Sequence, residues 1–320
     1  MTGNRGKMGS LSHVEARNWQ RSVSMRIANL AKSRGRTKDS IKFQLVFECF
    51  LTRLFSEPSS EWILKGGTAL LMRNGSGRFT RDVDLARAEK WDDPRDVVHQ
   101  LEHKLQRESV DPFTFKILAT NSRRFDTHGG YRTPTMTVNI EANLGGRTFH
   151  RFRIDVTLMR HTQVPPEIVE VDPLLNLVTK EGGYRRFSVA IIPVEAHLAD
   201  KICAMQESHG NSVSMRFHDL ADIIQIIRTQ DFSAEKLLGV LDHEVNRRGI
   251  DWPGRISSPG NVWEKEYARK AATYAGLPPE LHSLHSSLSY AGLCLDEVLS
   301  RQRLSGKWDH RRKTWLPPLG

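Results

Sequence analysis

The 320-residue sequence predicts an α+β protein, a mixed α/β half followed by an α-helical half, on three observations. Short β-branched or alternating runs crowd the chain before Ile192. After it, apolar residues recur at helical spacing, as at Leu220, Ile223, Ile224 and Ile227. The length suffices for two sub-domains around filled cores, and the sequence has neither a solenoid-length repeat nor a low-complexity tract.

The elements follow in order. Residues 12–33 read as an amphipathic helix, and residues 41–55 (IKFQLVFECFLTRLF) as a strongly apolar one closed by SEPSS. Residues 62–64 form a short buried strand that runs into Gly66-Gly67 and a helical TALLMR. DVDLA, 82–86, is a strand, and Pro94 opens a helix reaching about Gln106. Strands are expected at 113–119, 135–144 and 151–159, the last two joined by a Gly145-Gly146 hairpin. Beyond FSVAIIPVE the expected helices are 193–208, 214–229 and 233–247, with 262–304 mostly helical.

Composition narrows the function classes. The net charge of +10 favours a polyanionic partner. Arg17, Arg21, Arg26, Lys32, Arg34, Arg36 and Lys38 share an N-terminal stretch whose only acid is Glu15, and Arg311, Arg312 and Lys313 sit in a second basic cluster near the C-terminus. No apolar run reaches the roughly 18–20 residues of a membrane span, and the N-terminus lacks a signal-peptide core, so a cytoplasmic protein with no membrane partner is expected. Cys49, Cys203 and Cys294 are isolated, which argues against disulfides and thiolate zinc sites. His197, His209 and His218 show no zinc-binding spacing, and no GxSxG elbow occurs. In the absence of a heptad or an interface stripe, a monomer is expected.

The chemistry concentrates in ILKGGTALLMRNGSGRFTRDVDLA. A strand enters the glycines and a helix leaves them, so free N–H groups at the helix start, with the Thr68 hydroxyl, suit a phosphate. Asp82 and Asp84 stand two apart on a strand and point to one face, where a hard cation would relieve their repulsion. In FRIDV, Phe152, Ile154 and Val156 alternate inward while Arg153, Asp155 and Thr157 face the other way. A third carboxylate at Asp155 would complete a two-metal cluster. Read alone, the glycines are a tight turn, Lys201 a surface lysine, Asp219 a partner for Arg216 at i, i+3, and Trp308 and Trp315 packing residues.

The order hGG, helix, DVDL, then a later strand with one aspartate resembles the nucleotidyltransferase signature of the DNA polymerase β superfamily. KGGTALLMR with RFTRDVDL resembles more narrowly the AbiEii/AbiGii toxin family, which includes the mycobacterial tRNA-modifying nucleotidyltransferase toxins. VEAHLADKICAM, RFHDLADI and the terminal KWDHRRKTW add to that likeness, which runs from about residue 40 to the C-terminus. Two departures are a threonine after the second glycine and a longer stretch between Gly67 and Asp82, with room for Arg73, Arg78 and Arg81 near the phosphates.

The resemblance implies a polymerase-β-like domain with a mixed sheet over residues 39–192, a helical C-terminal domain over 193–320 that adds a lysine and aspartates to the site, and a basic extension over 1–38. Gly66, Gly67 and Thr68 would cradle an NTP, flanked by Lys65 and Thr80. Asp82, Asp84 and Asp155 would bind Mg²⁺. Lys201 would neutralise the β- and γ-phosphates, with Asp219 orienting it and Asp222 beside the nucleotide. The implied reaction is transfer of NMP to the 3′ end of tRNA, blocking aminoacylation and translation, under a cognate AbiEi-like antitoxin. Arg34, Arg36, Lys38, Arg311, Arg312 and Lys313 would hold the RNA backbone. A transferase acting on a protein or small molecule, or a non-catalytic nucleic-acid binder on the same fold, stands as the alternative.

Overall fold

A computed structural model describes residues 13–57, 61–75, 80–87, 89–107, 109, 111–123, 134–158, 164–175, 186–207 and 213–318. Helix α1 (His13–Ser33) and helix α2 (Lys38–Leu54) open the chain. Thr37 caps α2 by accepting from the Ser40 amide, and α2 buries nearly its whole apolar length. Strand β1 (Trp62–Lys65), helix α3 (Gly66–Asn74), strand β2 (Asp82–Arg87) and helix α4 (Pro94–Leu105) follow. Strands β3 (Phe113–Arg123), β4 (Thr135–Leu144) and β5 (Arg147–Thr157) form a meander. Gly145 and Gly146, with φ of 59° and 74°, make the tight β4–β5 turn. Strands β6 (Glu167–Val171) and β7 (Phe187–Ile191) complete a seven-stranded sheet of order β3-β4-β5-β2-β1-β7-β6. It is mixed: β2 runs parallel to β5 and β1 parallel to β7, and the other pairs are antiparallel.

The second half is helical: α5 (Val194–Gln206), α6 (Phe217–Thr229), α7 (Ala234–Arg248), α8 (Asn261–Ala271) and α9 (Leu284–Leu299). A small sheet of β8 (Phe232–Ser233), β9 (Lys307–Asp309) and β10 (Thr314–Leu316) closes it. The α+β class expected from the sequence is the one observed.

Three expectations need correction, and one is refined. The helix expected from residue 214 begins at Phe217, because Ser214 is turned aside to donate to the Ala204 carbonyl. The 262–304 region is mostly helical as expected, in two helices, α8 and α9, separated by a stretch with Pro278 and Pro279. The strand expected over 151–159 begins four residues earlier, at Arg147, and ends at Thr157; Met159 lies outside the described residues, as do Ser12, Ser208 and His209. The terminal β9–β10 hairpin stands where no strand is expected from the sequence pattern.

Two apolar clusters result. One joins Val23 and Ile27 of α1, the α2 face and the large sheet; Phe152 of β5 stacks edge-on against Phe47 and Phe50 of α2. The other fills the helical half from Leu198 to Trp308. Helix α3 touches both: Ala69 and Leu71 belong to the first and Leu70 to the second. The start of α3 therefore lies along the seam between the two halves. Among the described residues, no helix is long and apolar enough to cross a membrane.

Candidate active site

Because Phe152, Ile154 and Val156 face α2, Arg153 and Asp155 project from the opposite side of β5. The parallel register sets Asp82 beside Arg153 and Asp84 beside Asp155. The antiparallel neighbours set Lys65 of β1 beside Asp84 and Thr137 of β4 beside Asp155. Lys65, Asp84, Asp155 and Thr137 thus form one row across four central strands. The row borders a cavity of about 260 Å³, lined also by Thr135, Arg153 and Thr157.

Each carboxylate is held differently. Asp155 accepts a 2.6 Å hydrogen bond from the Thr137 hydroxyl. Arg153 reaches Asp82 at 2.9 Å and Asp155 at 3.2 Å. Asp82 also accepts from the buried Thr80 hydroxyl at 3.2 Å. Asp84 lies deepest. Burial pushes its pKa up to about 6; Lys65 and Lys201 pull it down, while Asp82 and Asp155 push it up.

Gly66 explains that burial. Its φ is +67°, and a Cβ there would fall 1.9 Å from Asp84 Oδ2. The backbone at the α3 N-terminus is thus pressed onto the carboxylate, an approach that needs glycine for both space and conformation. No side chain caps α3. Thr68 is wholly buried and donates its hydroxyl at 2.7 Å to the Asp82 carbonyl. That contact corrects the expectation of a hydroxyl aimed at phosphate: it locks α3 to β2. Gly66→Ala is expected to displace Asp84 by about 1 Å and lower the activity of the site roughly 100-fold, with a modest loss of Tm. A parent-like rate would show that the turn has slack.

A second charged cluster lies in the helical half. Lys201 of α5, 2% exposed, sits 2.8 Å from Asp219 and 2.9 Å from Asp222, both on α6 and both fully buried. Arg216 pairs with Asp219 at 2.5 Å, and His218 stands 3.4 Å from it. Burial alone would raise the Asp219 pKa; Lys201 and Arg216 overcome it and hold the carboxyl below its ordinary value. Lys201 acts on Asp84 from the other side of the seam, where its charge favours the ionised carboxylate.

The remaining candidates divide. Arg34, Lys38, Arg311, Arg312 and Lys313 are exposed, the last three in the β9–β10 turn. Arg36 is not a surface cation of this kind. Its guanidinium donates to the Ser40 hydroxyl and carbonyl and to Gln44, which in turn donates to the buried Glu48. This interior chain corrects its assignment to RNA. Arg73 also turns from the phosphate region, pairing with Glu167 and the Ile192 carbonyl. Arg78 lies outside the described residues. Sequence reasoning missed Thr137 and Arg153 as partners of the aspartates, although the alternation of β5 put Arg153 and Asp155 on one face; the Arg216–Asp219 pair is the one its i, i+3 spacing predicts.

The chemistry of the donor set suits a hard divalent cation. The set consists of carboxylate oxygens, two on one strand and one on its parallel neighbour, as oxygen-preferring cations require. A cation already bridges two of them, the Arg153 guanidinium between Asp82 and Asp155. Among the described residues, no three acidic, histidine or cysteine side chains converge on one point.

A family profile described as nucleotidyl transferase AbiEii toxin, type IV toxin–antitoxin system, matches residues 49–291. No curated protein matches the sequence. Among solved structures, JHP933 from Helicobacter pylori is similar at 12% identity and a TM-score of 0.45, over 83% of this chain and 94% of that one. A putative nucleotidyltransferase from H. pylori gives 12% and 0.43, over 83% and 96%. MenT4, a nucleotidyltransferase toxin from Mycobacterium tuberculosis H37Rv, gives 17% and 0.41, over 71% and 74%.

Proposed function

We propose that this chain, which belongs to the AbiEii family of nucleotidyl transferase toxins of type IV toxin–antitoxin systems, transfers a nucleoside monophosphate from an NTP to the 3′ end of a tRNA. The family makes it a nucleotidyltransferase and a toxin with an antitoxin counterpart; the nucleotide acceptor, the metal, the site residues and the division into domains are our reading. One observation carries it: the row Lys65, Asp84, Asp155, Thr137 beside a glycine turn that touches Asp84.

Asp82, Asp84 and Asp155 would hold Mg²⁺, which when bound supplies charge for activating the acceptor hydroxyl and for the departing pyrophosphate. The open N-terminus of α3 at Gly66 and Gly67 binds phosphate oxygens through backbone N–H groups. Thr80 and Thr137 donate to Asp82 and Asp155 and orient them. Asp155 accepts the proton of the attacking hydroxyl. Lys65 and Lys201 flank Asp84 with positive charge and meet the triphosphate, Asp219 and Asp222 holding Lys201 in place. The work is positioning and electrostatics, with no covalent intermediate on the protein. Residues 39–192 carry the carboxylates and the turn, and residues 193–320 supply Lys201 and its aspartates.

The basic surface supports RNA as acceptor. Arg34 and Lys38 flank the α1–α2 junction, and Arg311, Arg312 and Lys313 crown the terminal hairpin. Arg34→Glu with Lys38→Glu is expected to weaken RNA modification about tenfold at physiological salt and leave the KM for NTP unchanged. Equal loss of both would remove these residues from RNA binding. The main test incubates the protein with total tRNA, Mg²⁺ and each α-labelled NTP in turn. Label at the tRNA 3′ end supports the reading and names the nucleotide. Label on a protein or small molecule moves the acceptor to that class, and no label with any NTP refutes the transfer to tRNA.

A further inference from the structure

We propose that Arg153 is an exchangeable counter-ion of the carboxylate site, occupying the place between Asp82 and Asp155 until a divalent cation displaces it. The proposal rests on the metal-binding reading of Asp82, Asp84 and Asp155 given above. Arg153 stands two residues before Asp155 on β5, on the same face, and directly beside Asp82 in register. From there one guanidinium reaches both carboxylates, Asp82 at 2.9 Å through Nη2 and Asp155 at 3.2 Å through Nε.

The geometry favours exchange over a permanent tie. A structural ion pair in this protein looks different: the Arg53 and Asp111 side chains are 4% and 0% exposed and share two hydrogen bonds, and Arg53 also donates to the Cys49 and Phe113 carbonyls. The Arg153 side chain is 50% exposed, contacts the carboxylates from the solvent side, and lines the same cavity as Asp84 and Asp155. Releasing it costs little, because water and salt screen a pair this exposed and two solvated side chains regain their freedom. Yet the guanidinium holds Oδ2 of both carboxylates while Thr80 and Thr137 donate to their Oδ1 atoms, so a cation between Asp82 and Asp155 would compete with Arg153 for the oxygens that remain. Arg153 therefore sets a threshold: the site is electrically compensated without metal, and divalent cation binds in competition with a tethered positive charge. When displaced, the side chain remains at the cavity mouth.

The test is direct binding of Mn²⁺, followed by the loss of the free-ion paramagnetic resonance signal, with no nucleotide present. The parent, Arg153→Gln, Arg153→Lys and each of these with Asp84→Asn are compared. Removing the competing charge is expected to tighten Mn²⁺ binding about five- to tenfold in Arg153→Gln, the scale of one charge a few ångströms away when water screens it. Arg153→Lys keeps a charge and is expected to stay within about twofold of the parent. Asp84→Asn is expected to weaken binding in every background. Unchanged or weaker binding in Arg153→Gln, with Asp84 dependence intact, overturns the counter-ion role and leaves the metal site standing. Binding indifferent to Asp84 in all backgrounds overturns both.

Discussion

Asp84→Asn will lower nucleotidyl transfer by at least about three orders of magnitude, the scale on which removal of one aimed electrostatic group costs an enzyme, and will leave the fold intact. Asparagine keeps the size and one oxygen of aspartate, and with that oxygen turned to Gly66 the backbone there meets the same atom as in the parent. What is lost is the charge. At neutral pH that charge is a burden on the fold, because burial under Gly66 raises the Asp84 pKa from 3.8 to about 6. The sign follows from proton counting. Between about pH 4 and pH 6 the unfolded chain has released this proton and the folded chain still holds it, so stability falls as pH rises through that window. Above it the cost is complete. Asp84→Asn should therefore melt at or above the parent's Tm at pH 7.5, with the gap closing towards pH 4. Lost activity with retained or raised Tm is the signature of a group kept for function at the expense of stability. Thermal melts at pH 4.5 and 7.5 beside transfer assays check it. A variant that is active would remove Asp84 from the chemistry; one that melts well below the parent at pH 7.5 would mean that its charge supports the fold rather than burdening it.

How much of this site is legible in sequence depends on whether a residue's neighbours are local. Asp82 and Asp84 are legible because strand alternation puts both on the face opposite Val83 and Leu85, whatever the rest of the fold does. Gly66 is legible as a turn, but its pressure on Asp84 arises only once β1 and β2 pair antiparallel with Lys65 beside Asp84. Thr137 is invisible in the same way. Which β4 residue faces Asp155 is fixed by the Gly145-Gly146 turn and by a register shift at Ala142/Asn143, and no local pattern counts that shift. Arg36 shows the opposite failure. It reads as one more cation in a basic stretch, while the chain reversal between α1 and α2 turns it onto Gln44. The β9–β10 hairpin escapes because three-residue strands are too short to display alternation; its hold is tertiary, Trp308 Nε1 donating to the Ile227 carbonyl and Trp315 Nε1 to that of Cys294.

Lys201→Met will destabilise the protein by about 3–5 kcal/mol, the range for breaking a buried ion pair from one side. Lys201, Arg216, Asp219 and Asp222 form a balanced group of two cations and two anions, three of its members almost wholly excluded from water. Methionine replaces the stem and removes the charge, leaving a net negative group at the α5–α6 contact. The loss should appear as a Tm lower by on the order of 10 °C for a chain of this size. Neutralising one anion restores the balance, so Lys201→Met with Asp222→Asn should recover much of that Tm. Its activity should not recover, because the ammonium that acts on Asp84 across the seam, and in our reading on the triphosphate, is still missing. The pair of variants thus separates two duties of one lysine. A single variant as stable as the parent would mean that the charge group does not hold α5 to α6. A double variant that regains transfer along with its Tm would mean that Lys201 serves the fold alone, and the charge facing the phosphates would then have to come from Lys65.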